Sequence, residues 1–188
     1  MITKEFSEYT DIFFWDFKRM DNVNYNFKVL SSLFQAKKVT KDEMLNKPII
    51  VITSSIIECM LYDFLKRVTQ HRHEKIPGLD DVVIKDARNK ICDKFYFVIA
   101  HLKKHNYLKE SKQDTLYKDM EQLSKLRNRV HIQDIKKGLD KDEYKIWTRS
   151  NLDLAIKILE RVCEVLSQCY PRPGKNLLPM IDFPRPWS

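Results

Sequence analysis

Glycine is scarce in this sequence: Gly78, Gly138 and Gly174 are the only three among 188 residues. Sandwiches, barrels and phosphate-cradling loops all draw on residues that tolerate positive φ, so the shortage argues against each of them, whereas a helical chain can do without. No Gly-x-Gly-x-x-Gly or Gly-x-x-x-x-Gly-Lys run exists, which argues against a nucleotide site of the Rossmann or P-loop kind. Cysteine is sparse too. Cys59, Cys92, Cys163 and Cys169 fall within helical patterns at spacings that fit neither a zinc site nor a small disulfide framework, and they read as reduced core thiols. The N-terminus lacks a basic stretch followed by an apolar one, and the most apolar segment, Pro48 to Leu65, is interrupted by Glu58 and Asp63. The expectation is a cytoplasmic protein with no membrane partner.

What is present is the composition of a folding chain. With 43% hydrophobic and 32% charged residues, the sequence is too apolar for disorder and too charged for a membrane protein. Its length allows one hydrophobic core, so residues 1–170 are expected to form a single domain. The 34 basic groups against 26 carboxylates leave a formal charge of +8. Residues 1–100 carry 16 basic and 14 acidic groups, and residues 101–188 carry 18 and 12, so most of the surplus lies in the second half. An anionic partner such as nucleic acid fits that bias.

Apolar residues recur at helical intervals along most of the chain. The aromatic-rich opening to about Lys38 predicts two short helices, or one bent near Asp21. Asn46 can cap a central helix, with Pro48 in its first turn and an apolar face through Ile49, Ile52, Ile56, Met60, Phe64 and Val68. His71 and His73 follow, without a third metal ligand nearby in sequence, and no metal site or cofactor is expected. Beyond Pro77-Gly78, the pattern from Val82 to Leu102 predicts another helix, ending near His105. A further helix is predicted from Asp114 to beyond His131, on the stripe Leu116, Met120, Leu123, Leu126 and Val130. Asp134 to Tyr144 reads as a surface loop, and Ser150 with Asp153 resembles a capping box opening a last helix to Cys169.

Five of the seven prolines follow Tyr170, so residues 171–188 predict an extended tail. Its Leu177, Leu178, Met180, Ile181, Phe183 and Trp187 would be costly in water, and docking on the chain's own body or on a neighbouring molecule is expected. The fold class that results is all-α: a compact bundle of about five to six helices with an extended, proline-rich C-terminal tail.

The best candidate for chemistry is Leu126-Arg127-Asn128-Arg129-Val130-His131. On a helix with Leu116 at zero, Arg127 falls at about 20° and His131 at about 60°, inside or beside the apolar stripe. Arg129, at about 220°, points away and reads as an ordinary solvated residue. A guanidinium can hold phosphate oxygens and an imidazole can move protons near neutral pH, a pairing that suits phosphodiester chemistry, with Asn128 as a neutral donor and acceptor. The plainer alternative is that Arg127 pairs with a carboxylate such as Glu58 and that His131 merely ends a helix.

The phrase Leu123-Ser-Lys-Leu-Arg127-Asn128-Arg129-Val130-His131 resembles the signature of the HEPN superfamily, an arginine and a polar residue followed by a histidine. Ser54 to Glu58, on the long apolar helix, resembles the second helix of such domains, and the likeness spans roughly residues 46–170. The resemblance implies a helical bundle, commonly a homodimer, and often a metal-independent endoribonuclease acting as a toxin or antiviral effector beside an antitoxin or other regulatory protein. Arg127, Asn128 and His131 would then be catalytic, with Arg129 and Lys125 holding RNA phosphates. Only three residues separate Arg127 from His131, fewer than is usual in that family, and noncatalytic members exist. A noncatalytic module for RNA binding or protein interaction is therefore the second expectation.

Overall fold

The computed structural model describes residues 12–70, 94–130 and 140–172, together with Lys85. Among them the regular structure is helical, with no strand. The first long helix, α1 (Phe17–Thr40), opens on Asp16, whose carboxylate accepts the Arg19 N–H at 3.1 Å. It runs unbroken past Asp21, where a bend or boundary was expected. The physical reason is that neither glycine nor proline interrupts residues 17–40, so nothing ends the hydrogen-bond ladder. It stops at Lys41, which takes φ 55° and donates its N–H to the Lys37 carbonyl at 2.8 Å. Asn106 and Lys109 also have positive φ. Left-handed corners in the described residues thus fall on side-chain-bearing residues, each at a cost of about 1–2 kcal/mol, while the three glycines lie outside the described segments.

A short 3-10 turn, Glu43–Leu45, leads into α2 (Asn46–Gln70). Asp42 rather than Asn46 supplies the capping oxygen here, accepting the Met44 N–H at 2.8 Å. Asn46 is already helical, and its buried amide instead donates to Glu43 Oε2 at 2.6 Å and to the Trp147 carbonyl at 2.9 Å. α2 packs against α1 and, further along the chain, against α3 (Phe95–Lys104), α4 (Leu116–Asn128) and α6 (Arg149–Cys169). By length and composition the stretch Glu43–Gln70 could cross a membrane, but 61% of its most apolar window is buried inside the protein. Its neighbours consume the apolar face that a bilayer would otherwise cover.

Within the helix expected from Val82 to near His105, Lys85 is helical, but Lys94 is extended (φ −122°, ψ 144°), so α3 starts at Phe95. Between α3 and α4, Tyr117 is the pin: its hydroxyl donates to the Leu102 carbonyl and accepts the Leu108 N–H, both at 2.9 Å. Glu110 accepts the Tyr117 N–H at 2.8 Å, doing for α4 what the side chain of its cap residue Thr115 does not. After the one-turn α5 (Glu143–Ile146), α6 is capped by Thr148, which accepts the Asn151 N–H at 3.3 Å. The expected Ser150–Asp153 box does not form, because Asp153 is taken by the Arg149 guanidinium at 2.8 Å, one turn back on the same helix.

Buried apolar side chains from all of these helices join in one cluster. Arg67 closes one end of it: fully buried, it donates to the Tyr170 carbonyl at 2.6 Å and the Pro171 carbonyl at 2.8 Å, where α6 has run out. The Arg172 N–H then reaches the Ile12 carbonyl at 2.7 Å, and its guanidinium lies over Trp15 and Phe17. Residues 173–188, and with them the expected docking of the tail, lie outside the described residues.

Candidate functional site

The two acids that interrupt the apolar run of α2 are the structure's main polar clamps. Asp63 is buried and accepts the Trp15 N–H at 2.7 Å, the Asp16 N–H at 3.3 Å and an Arg19 guanidinium N–H at 3.0 Å. It ties the start of α1 to α2. Burial pushes its carboxyl above the usual range, against the opposing pull of those donors. Glu58, one and a half turns earlier, faces the other way. Its Oε2 lies 2.6 Å from Arg127 Nη2, and it also accepts the Phe95 N–H at the start of α3. One carboxylate thus satisfies an orphan donor of α3, whose own cap residue Lys94 makes no side-chain bond, and a cation on α4. Burial again dominates, raising the Glu58 carboxyl in spite of Arg127 and the Phe95 N–H.

Arg127 sits in the last turn of α4 with 34% of its side chain exposed. Its position beside Glu58 is the pairing that the plainer sequence alternative foresaw. A positive group at this helix end also complements the carbonyl dipoles that gather there. Asn128 is the last helical residue and is half-buried; Lys125, one turn before Arg129, is exposed.

Beyond Asn128 the helical projection fails. Arg129 N–H bonds the Leu126 carbonyl at 2.9 Å and Val130 N–H the Arg127 carbonyl at 3.2 Å, three residues back rather than four, so α4 closes in a tight turn. That turn exchanges two expected positions. Arg129, expected in solvent, is only 3% exposed and donates from Nη2 to the Lys141 carbonyl at 2.9 Å. Val130, expected in the apolar stripe, is 40% exposed. The helix that was to carry His131 at a fixed angle to Arg127 therefore ends before it, and His131 itself lies outside the described residues.

Arg127 and Asn128 are part-exposed at the end of α4, whereas Lys125 is exposed about 160° around the helix from Arg127. A guanidinium has five N–H donors, and the contact with Glu58 engages one corner of it, leaving donors that a phosphate could reach. A groove of about 520 Å³ flanks the same helix, lined by Lys118, Lys125 and Lys145 together with the carboxylates Glu121 and Asp140, among others. No group of three potential metal ligands occurs among the described residues, and His71 and His73 are outside them. The residue that sequence reasoning undervalued is Glu58 as a clamp on α3; a glutamate embedded in an otherwise apolar helical face is the signal that it must have buried partners. No family model, no curated protein and no solved structure matches the chain.

Proposed function

We propose that this protein is a metal-independent endoribonuclease of the HEPN kind, with Arg127, Asn128 and His131 as its reacting constellation. The observation that carries the reading is the part-exposed Arg127 beside Asn128 at the end of α4, with His131 four positions after Arg127 in the sequence. The basic surplus of the second half of the chain adds attraction for RNA.

In the proposed reaction the ribose 2′-oxygen attacks the adjacent phosphorus as His131 takes its proton. The P–O5′ bond breaks and the 5′-oxygen acquires a proton, leaving a 2′,3′-cyclic phosphate and a 5′-hydroxyl. Arg127 neutralises charge on the phosphorane, Asn128 orients the phosphate or the imidazole, and Lys125 holds a neighbouring phosphate. Arg129 leaves the phosphate-binding set, since its guanidinium is turned inward to Lys141. The setting that suits such an enzyme is the cytoplasm, as a toxin or antiviral effector restrained by an antitoxin or other regulatory protein. A homodimer would bring two motifs to one cleft.

Total RNA incubated with the purified protein in EDTA, beside a His131→Ala control, tests this reading. Cleavage by the parent chain with 5′-hydroxyl products, lost in the control, is the expected result; activity that requires added magnesium or manganese overturns the mechanism. Light scattering gives the subunit count, with a dimer expected. The second reading, a noncatalytic RNA-binding or protein-interaction module, is favoured by the Glu58 contact, which already occupies part of the Arg127 guanidinium. RNA retention without cleavage would select it.

A further inference from the structure

The first turn of α3 carries two exposed aromatic residues, Tyr96 at 58% and Phe97 at 47%, with their rings edge to face at 5.7 Å. Neither is needed by the core, and both sit immediately after Phe95, whose N–H is held by the carboxylate that also holds Arg127. At the other end of α3, Lys103 Nζ meets Glu121 Oε1 of α4 at 2.8 Å. These two links fix α3 and α4 as antiparallel neighbours: the start of α3 lies by the end of α4, and the end of α3 lies by Glu121.

The same links set the register. From Lys103 back to Tyr96 is seven residues, and from Glu121 forward to Asn128 is also seven. Seven residues make almost two full turns and advance about 10.5 Å, so Tyr96 shares the helical face of Lys103, and Asn128 that of Glu121. Tyr96 and Asn128 therefore stand across from one another on the exposed α3–α4 seam, at the end that bears Arg127. At this end of the seam the charges of Arg127 and Lys103 are met by Glu58 and Glu121, and exposed Lys94 adds one positive charge in excess, so the surroundings favour an anion.

We infer that Tyr96, supported edge-on by Phe97, is a stacking platform for one unpaired base of single-stranded RNA whose phosphate lies at Arg127 and Asn128. The inference rests on the RNA reading above and extends it to the substrate's form. An aromatic ring at the same end of the seam as a guanidinium suits the two parts of a nucleotide, a flat apolar base and an anionic phosphate. A paired base presents no free face to such a platform, so duplex RNA is discriminated against.

The experiment measures fluorescence anisotropy of a short labelled oligouridylate, a ribose-phosphate strand of the same length lacking bases, and an RNA duplex. The intact chain is compared with its Tyr96→Ala, Tyr96→Phe and Arg127→Ala variants, and circular dichroism melts confirm that each folds. Tyr96→Ala is expected to weaken oligouridylate binding roughly fivefold to a hundredfold, the span of one lost base stack, and to leave the base-free strand unchanged. Tyr96→Phe should bind like the parent, because the face and not the hydroxyl is used. Arg127→Ala should weaken both strands. Equal binding by the parent and a folded Tyr96→Ala chain overturns the platform, as does equal loss on the base-free strand or failure of the parent to prefer single strands. Cleavage is scored separately: base-dependent binding without cleavage leaves the platform standing and removes the nuclease, while cleavage indifferent to Tyr96→Ala does the reverse.

Discussion

Glu58 Oε2 meets Arg127 Nη2 at 2.6 Å, so the middle of α2 and the last turn of α4 are held by a carboxylate that also receives the first N–H of α3. Three helices converge on one acid. Because burial raises the Glu58 carboxyl, the folded chain holds a proton there more tightly than the unfolded chain does. The linkage then has a definite sign: the contribution is most favourable below the unperturbed value of about 4.3 and declines as pH rises toward the raised folded value. Thermal melts of the parent and Glu58→Gln across that acidic window should show the parent losing stability relative to the variant as pH rises. A parallel pair of curves would mean that Glu58 is not perturbed.

Arg127 and Arg129, separated by Asn128 at the end of α4, should behave oppositely on substitution. Arg127→Ala removes a part-exposed pair and should cost only about 1 kcal/mol of stability, while abolishing RNA cleavage if the proposed function holds. Arg129→Ala removes an inward donor to the Lys141 carbonyl and should cost roughly 1.5–3 kcal/mol. Urea unfolding of both variants decides this; a larger loss from Arg127→Ala would reverse the assignment of which arginine faces inward.

Arg67→Met should destabilise the fold by roughly 2–4 kcal/mol. It keeps an aliphatic stem of similar reach but leaves the Tyr170 and Pro171 carbonyls without their charged donor. Hydrogen exchange should show the end of α6 opening first. A loss under about 0.5 kcal/mol, the size expected at an unremarkable surface position, would contradict the clamp.

The Cys59 and Cys163 thiols should resist alkylation in the folded state. Burial raises the Cys59 thiol to about 11 and pushes the fully buried Cys163 higher still, so thiolate is scarce at neutral pH. Iodoacetamide labelling read by peptide mass spectrometry should show Cys163 modified only in step with unfolding by urea. Rapid native labelling at Cys163 would show that the α2–α6 contact opens locally, breaking its 3.8 Å approach to Met60.

Much of the helical framework is legible in the linear pattern because burial selects apolar residues at the helical period. The long apolar face of α2, the stripe of α4 from Leu116 to Leu126 and the inward residues of α6 all follow from it. Ends were less legible. Asp42, Glu110 and Thr148 are caps or substitutes whose use depends on where the chain turns, and Ser150 with Asp153 had the right spacing but another partner claimed Asp153.

By itself, the sequence determined that this chain is all-α and that Arg127 and Asn128 lie on a helix with an apolar face; that the helix ends at Asn128 was decided by the fold. The sequence also marked Glu58 and Asp63 as acids interrupting an apolar run, and Glu58 as one carboxylate that Arg127 could meet. Only the tertiary structure decided which partners they take, Arg127 with the Phe95 N–H for one and Arg19 with the Trp15 and Asp16 N–H groups for the other. It likewise decided that Arg129 turns inward while Val130 turns out. Periodicity is a property of each helix alone and carries through only while the ladder of four-residue hydrogen bonds continues. Once Arg129 bonds three residues back, the direction of its side chain is set by what lies opposite, here the Lys141 carbonyl, which no spacing along the chain encodes.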